Sequence, residues 1–182
     1  MSRIAMFLAD GFEEIEGLTS VDMCRRAGIE VVTFSIMDEL LINGSHGIRL
    51  YADEMFSEGC SDDFDMLVLP GGGLGTQNLE RHEGLAGELK KAFDAGKYIA
   101  AICAAPRVIG RMGFLKGKNA TCYPGNEEHL EGAAYHPELK AVTDGKLITA
   151  RGMGAAIEFA DEIITALEGK EKAQSILDQI RY

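Results

Sequence analysis

The stretch Tyr98-Ile99-Ala100-Ala101-Ile102-Cys103-Ala104-Ala105-Pro106-Arg107-Val108-Ile109-Gly110 most constrains what this chain can fold into, because it joins an apolar strand pattern to a helix pattern through one cysteine. Tyr98 to Ile102 has the unbroken apolar character of a strand buried on both faces, and Pro106 suits the first turn of a helix, where its missing N–H leaves nothing unpaired. Cys103 therefore falls in the tight turn between the two. The small residues Ala101, Ala104 and Ala105 let the backbone bend sharply and leave the opening helix amides uncovered, which favours a thiolate. Hydrolase nucleophile elbows hold their serine in the same setting, with the following amide helping to bind an oxyanion. An isolated cysteine is more often a buried core residue. The strand-turn-helix setting marks Cys103 as a reactive thiol, with an expected pKa below the free-thiol value of about 8.5.

With 182 residues, 46% of them hydrophobic, the chain can bury one substantial core, and no linker-like segment divides it, so residues 1–182 read as one domain. A formal charge of −11 opposes nucleic-acid backbones and anionic membranes, both of which call for clustered Lys and Arg. The expected partner is a small molecule. The first apolar run is too short to span a bilayer and soon meets Asp10, Glu13 and Glu14, so it reads as a strand and not as a targeting segment. Cys24, Cys60, Cys103 and Cys122 lack metal-type pair spacing, and a domain of this size needs no disulfide staples, which makes a reducing cytoplasm the expected compartment.

Along the chain, Ile4 to Leu8 reads as a strand and Glu14 to Ala27 as a helix with Ile15, Leu18 and Val21 on its buried stripe, stopped by Gly28. Glu30 to Ser35 is the next strand, and Leu40 to Ile42 with Ile48 to Ala52 forms a hairpin around Asn43-Gly44. A buried strand, Asp65 to Leu69, runs into Pro70-Gly71-Gly72-Gly73. Leu85 to Ala95 is a helix stopped by Gly96, and the helix after Cys103 runs through Met112. Ala120 to Tyr123 and Leu147 to Ala150 supply further strands, the second entered from Asp144-Gly145. The spacing of Ala156, Phe159, Ala160, Ile163, Ile164 and Leu167 predicts a helix, and Lys170 to Ile180 a last one. Strands alternating with helices imply a mostly parallel sheet covered on both faces, a three-layer α/β sandwich. In such sheets the site lies beyond the carboxyl ends of the strands, which singles out the loops at Asp10 to Glu16, Pro70 to Gly75 and Cys103 to Pro106.

Four motifs, in order, resemble those of the DJ-1/PfpI (ThiJ) superfamily: Ala9-Asp10-Gly11-Phe12-Glu13-Glu14-Ile15-Glu16, Leu69-Pro70-Gly71-Gly72-Gly73-Leu74-Gly75, Ala100-Ala101-Ile102-Cys103-Ala104-Ala105-Pro106 and Ala150-Arg151-Gly152-Met153-Gly154. The similarity spans nearly the whole chain and is greatest to the DJ-1-like branch, with Val21-Asp22 and Arg25-Arg26-Ala27-Gly28 also in place. The resemblance implies a flavodoxin-like fold, a homodimer, and a nucleophilic cysteine that oxidises readily to the sulfinic acid. It also implies cofactor-free conversion of glyoxal-type dicarbonyls to hydroxy acids without glutathione, and a deglycase-type activity reported for the family.

Carried over position by position, the resemblance makes Cys103 the nucleophile, Glu16 its acidic partner, and the amides of Gly72 and Ala104 the oxyanion donors. An ionised Glu16 beside a thiolate would raise both pKa values, whereas a protonated carboxyl can donate a hydrogen bond to the sulfur, so Glu16 is expected to be neutral when Cys103 is charged. Without the resemblance, Glu13, Glu14 and Glu16 are simply acids at a helix start. Gly71, Gly72 and Gly73 let the backbone approach a ligand, but their spacing is neither that of a dinucleotide loop nor that of a phosphate loop. Tyr123 stands where much of the DJ-1-like branch has histidine, and a phenol with an ordinary pKa near 10 cannot take up a proton at neutral pH. Glu16 would then shuttle the proton alone. Cys122 reads as a strand cysteine facing the core or a second oxidisable thiol. Arg151, in a glycine-flanked loop, is suited to a carboxylate, to a dimer contact or to plain solvation.

Other readings follow from other residues. Ala104 occupies the position that is histidine in the PfpI-like branch, which argues against a cysteine protease. His136-Pro137-Glu138 imitates the triad ending of class I glutamine amidotransferases. His46, His82 and His129 read as surface residues. The expected activity is glyoxalase or deglycase chemistry on small 2-oxoaldehydes in oxidative or carbonyl stress, with no metal or organic cofactor. The alternative is a redox sensor whose Cys103 passes through sulfenic to sulfinic acid and signals to a partner.

Overall fold

The computed structural model describes residues 1–182. Its elements run β1 (Arg3–Leu8), α1 (Glu14–Arg26), β2 (Glu30–Ser35), β3 (Leu41–Asn43), β4 (Arg49–Tyr51), β5 (Glu54–Met55), β6 (Met66–Leu69), α2 (Gly73–Arg81), α3 (Glu83–Asp94), β7 (Tyr98–Ile102), α4 (Pro106–Arg111), β8 (Asn119–Ala120), β9 (Ala134–Tyr135), β10 (Ala141–Asp144), β11 (Leu147–Ala150), α5 (Ala156–Glu168) and α6 (Lys170–Ile180). Seven strands form one sheet in the order β10-β11-β7-β6-β1-β2-β5, parallel throughout except for the β10–β11 pair. The expected mostly parallel α/β sandwich is the fold observed.

The two-residue period of a strand divides the core between the faces of the sheet. Ile4, Met6 and Leu8 of β1 point toward Val21 and Met23 of α1, Phe159 and Ile163 of α5, and Ile176 of α6. Ala5 and Phe7 point the other way, toward Leu79, Leu85, Leu89 and Val108 on α2, α3 and α4. Because β1, β6, β7 and β11 run in one direction, their carboxyl ends bring residues 9–13, 70–72, 103–105 and 151–155 to a single edge. No helix is long and apolar enough to cross a membrane.

Several elements depart from the sequence reading. In α1 the buried line is Glu16, Gly17, Ser20, Val21 and Cys24, whereas Ile15 and Leu18 are exposed. The reason is packing: Gly17 lies so close to the Phe12 ring that a Cβ there would come within 2.8 Å, so the helix seats its small residues and turns Ile15 and Leu18 outward. Helix α2 was not expected, since its glycines carry low helix propensity; Leu79, fully buried, holds it in place. The hairpin pairs Asn43 with Arg49, so its connection spans residues 44–48 and the positive φ falls at Gly47 instead of Gly44. The strand expected at Ala120 to Tyr123 is only Asn119–Ala120, paired with β9 in a separate two-stranded sheet, because Thr121 turns its amide to the Thr149 side chain. The short strands β5, β9 and β10 also went unread.

Phe159 is fully buried between α5 and the sheet. Phe159→Ala should lower the unfolding free energy by about 3–5 kcal/mol in urea titration, the usual cost of an aromatic-sized core cavity.

Candidate active site

Cys103 sits directly after β7 with φ of 66°, a left-handed conformation that among the non-glycine residues it shares only with Arg181. Such a backbone costs about 1–3 kcal/mol and persists only where neighbours enforce it. Here they do: the Cys103 amide donates to Ala150 O at 2.8 Å, and Cys103 O accepts from the Tyr123 amide at 2.8 Å. The Ala105 amide closes the bend onto Ile102 O at 3.0 Å. The sharp strand-turn-helix elbow expected from the sequence is therefore present. Helix α4, at six residues, is too short to act mainly through its dipole, and the amides of Gly72 and Ala104 are the groups that favour the thiolate directly.

The carboxyl of Glu16 reaches this sulfur through a gap left by Gly71. Glu16 is 1% exposed, and its Oε2 accepts the Gly71 amide at 2.9 Å. A Cβ on Gly71 would lie 2.4 Å from Glu16 Oε2 and 2.5 Å from Cys103 Cβ, so only glycine permits the two side chains to meet. Gly72, with φ of 95°, is equally confined: a Cβ there would come within 2.3 Å of Gly11 O. Gly73, by contrast, opens α2 with free space beside it. The start of α1 is tied to the same loop, since the Glu13 amide donates to Gly71 O and the Glu13 side chain caps the Glu16 amide.

Burial pushes the Glu16 carboxyl up to about 7, with the nearby Glu13 charge adding to the effect, while the Cys103 thiol and the Gly71 amide act against it. Oε1 has no donor at regular hydrogen-bond distance, although the thiol is close enough to act on the carboxyl. Burial and the Glu16 carboxyl push the Cys103 thiol up to about 12, opposed by the Gly72 and Ala104 amides. The low thiol pKa expected from the sequence is corrected here: Cys103 is half-buried, and desolvation and the neighbouring acid both push its thiol up. The two groups titrate as a pair. Near neutral pH the pair sheds one proton, and the remaining proton has two seats, sulfur or carboxyl, at the same net charge.

Cys103, Glu16, Gly71, Gly72 and Ala104 are thus brought together. Tyr123 contributes its backbone to the elbow, while the residue as a whole is 54% exposed. Arg151 follows Ala150 and lines an adjacent cleft of about 420 Å³ with Tyr123 and Met153. Cys122 is buried, in accord with its core reading, and burial pushes its thiol up to about 12. His136 is held by Asn119 and Glu138. His46 and His82 also do structural work, His82 capping α3. His129 packs against the Arg111 guanidinium. Glu13, Glu14 and His46 place three ligand-type atoms within 4.8 Å of one another. Glu14, however, already accepts from Ser45, from the His46 side chain and from the His46 amide, bonds that fasten the β3–β4 turn to α1. Burial alone would raise the Glu14 carboxyl, but these bonds hold it down to about 2. The sequence reading missed this tie and the influence of Glu13; the acid-rich start of α1 was the available signal.

A family model described as the DJ-1/PfpI family matches residues 2–166. The chain belongs to the DJ-1/PfpI family. It is 40% identical to the Drosophila melanogaster protein dj-1beta over 97% of this chain and 95% of that one. Arabidopsis thaliana DJ-1 homolog B is 36% identical over 96% of the chain, which spans only 40% of that longer protein. A Pyrococcus abyssi deglycase is 30% identical over 91% of this chain and 99% of its own. Among solved structures, oxidized DJ-1 of Toxoplasma gondii superposes with a TM-score of 0.93 at 33% identity, covering 100% of this chain and 99% of that one.

Two outcomes follow from this DJ-1/PfpI geometry. Gly71→Ala forces Glu16 and Cys103 apart and should abolish selective alkylation of Cys103, read by peptide mass spectrometry, while the fold is retained by circular dichroism. The folded pKa of Glu16, about 7, lies above the ordinary 4.5, so its contribution favours folding below pH 4.5 and is lost as the pH rises to about 7. Glu16→Gln should remove that decline and stabilise the protein at pH 8 by on the order of 3 kcal/mol in denaturant titrations.

Proposed function

We propose that this chain is a cysteine-dependent enzyme, free of cofactors, that converts small 2-oxoaldehydes to 2-hydroxy acids without glutathione. The observation that carries the reading is the pairing of a half-buried thiol with a buried carboxyl at a left-handed elbow, with two backbone amides acting on the same sulfur. Family membership supports it, as does similarity to a protein named a deglycase. Proton transfer from sulfur to Glu16 generates a thiolate without adding charge to the buried site. The thiolate adds to the aldehyde carbon, forming a C–S bond and a hemithioacetal oxyanion that the Gly72 and Ala104 amides stabilise. Glu16 passes the proton it took from sulfur to the ketone oxygen and, once ionised, relays the proton lost from the first carbon to its neighbour, leaving a thioester. Water cleaves the thioester, releasing the hydroxy acid and the thiol, so substrate plus water equals product and nothing external is oxidised.

A second reading rests on the same donors, which suit the oxygens of an oxidised sulfur as well as an oxyanion; a structural neighbour is an oxidized DJ-1. In it, Cys103 is a peroxide-sensitive switch. We further infer that residues 1–182 act as one domain in a cytoplasmic homodimer. Ile15, Leu18, Ile48 and Tyr51 give α1 and the β3–β4 hairpin an exposed apolar surface suited to a second copy.

Lactate should accumulate from methylglyoxal without glutathione, and Cys103→Ser and Glu16→Gln should each lower the rate at least about 100-fold. Wild-type turnover no higher than Cys103→Ser would end the enzymatic reading. Cys103 alkylation should rise with pH through about 7, as the pair sheds its first proton, and that step should vanish in Glu16→Gln. Leu18→Glu should yield monomers in sedimentation.

A further inference from the structure

Arg151 is the only partly buried cation of this chain whose side chain has no partner. The other partly buried ones are paired: Arg3 with Glu30, Lys97 with the carbonyls of Ser61 and Asp62, Arg107 with Glu80, and Lys118 with Asp144. Only the Arg151 backbone amide is engaged, on Lys140 O. A partly buried guanidinium without a counter-ion, its donors still open to solvent, is a ready site for an anion.

The setting sharpens that reading. Although the chain carries a net charge of −11, no acid lines the cleft of about 420 Å³ that Arg151 faces. The acid nearest in sequence to its wall, Glu138, is taken up by His136. Tyr123, Pro124, Pro137 and Met153 provide apolar walls. Both lips belong to segments bonded to the nucleophile's own peptide groups: Tyr123 to Cys103 O, and Ala150, which leads into Arg151, to the Cys103 amide. The lips also approach each other, since a Cβ on Gly152 would lie 3.1 Å from the Tyr123 ring. A three-carbon dicarbonyl would fill only a small part of such a space, which is in the range that holds larger organic ligands. A single cation matches a singly charged carboxylate better than a phosphate dianion.

We propose that this cleft is a carboxylate subsite: the electrophile that reaches Cys103 is a carbonyl compound with an acidic group at its far end, held by Arg151 while an apolar body lies between Tyr123 and Met153. The proposal rests on Cys103 being the nucleophile, as in the function proposed above.

4-(Bromomethyl)benzoate and 4-(bromomethyl)benzamide test it, because they carry a flat apolar body between the reactive carbon and the far group, differ by one negative charge, and both alkylate a thiolate with loss of bromide. Second-order rates at Cys103 are read by peptide mass spectrometry in the full-length protein, with a small free thiol as reference. The benzoate-to-benzamide ratio should exceed that of the free thiol, even though Glu13 and Glu16 stand nearby. Arg151→Gln should lower the ratio about tenfold, and Arg151→Lys should retain part of it. A ratio that is unchanged in Arg151→Gln, or already equal to the free thiol in wild type, overturns the subsite and leaves the nucleophile standing. A Cys103 that neither reagent alkylates removes both the nucleophile and the subsite.

Discussion

The approach of one carboxyl to one thiol across a glycine governs the edge of this sheet. Neither group is comfortable where it lies: burial raises both, and each charge opposes the other. What makes the arrangement workable is that the pair needs to carry only one negative charge at a time. The proton can sit on either partner, and the amides of Gly71, Gly72 and Ala104 are distributed so that whichever atom is charged meets a donor. The site therefore holds its charge as a proton-transfer alternative between sulfur and carboxyl and not as a freely ionising cysteine.

The fold serves that pair through parallel strand direction. β1, β6, β7 and β11 end at one edge, so residues from four distant parts of the sequence converge without a long loop. Glu16 belongs to the first turn of α1, Gly71 and Gly72 to the end of β6, and Cys103 to the end of β7. Ala150 at the end of β11 pins the elbow from the far side. Fixing each group to a packed element limits the movement that would let water into the pair.

The elbow was legible in the sequence because an apolar run, a small-residue bend and Pro106 are all local signals. So were α5 and the central strands, whose patterning agrees with their burial. Helix α1 was legible as a helix but not in its orientation: Gly17 against Phe12 is a tertiary contact, and it outweighs the apolar character of Ile15 and Leu18. Strands β8 and β9 pair with each other across a long separation, which no local pattern encodes. Glu16 stood out from Glu13 and Glu14 only through family resemblance, since what distinguishes it, burial beside sulfur, belongs to the folded chain. The thiol's acidity was misjudged for the same reason. Helix-end and small-residue signals point toward a thiolate, and the desolvation that outweighs them is invisible in one dimension.

The left-handed backbone at Cys103 has a consequence for how this protein's sturdiness and chemistry relate. Glycine would occupy that position with less backbone tension, so the strain there is borne because a side chain is present. Thermodynamic fitness of the scaffold alone would therefore not retain a cysteine there. Its presence is a standing concession by the fold to whatever the sulfur does.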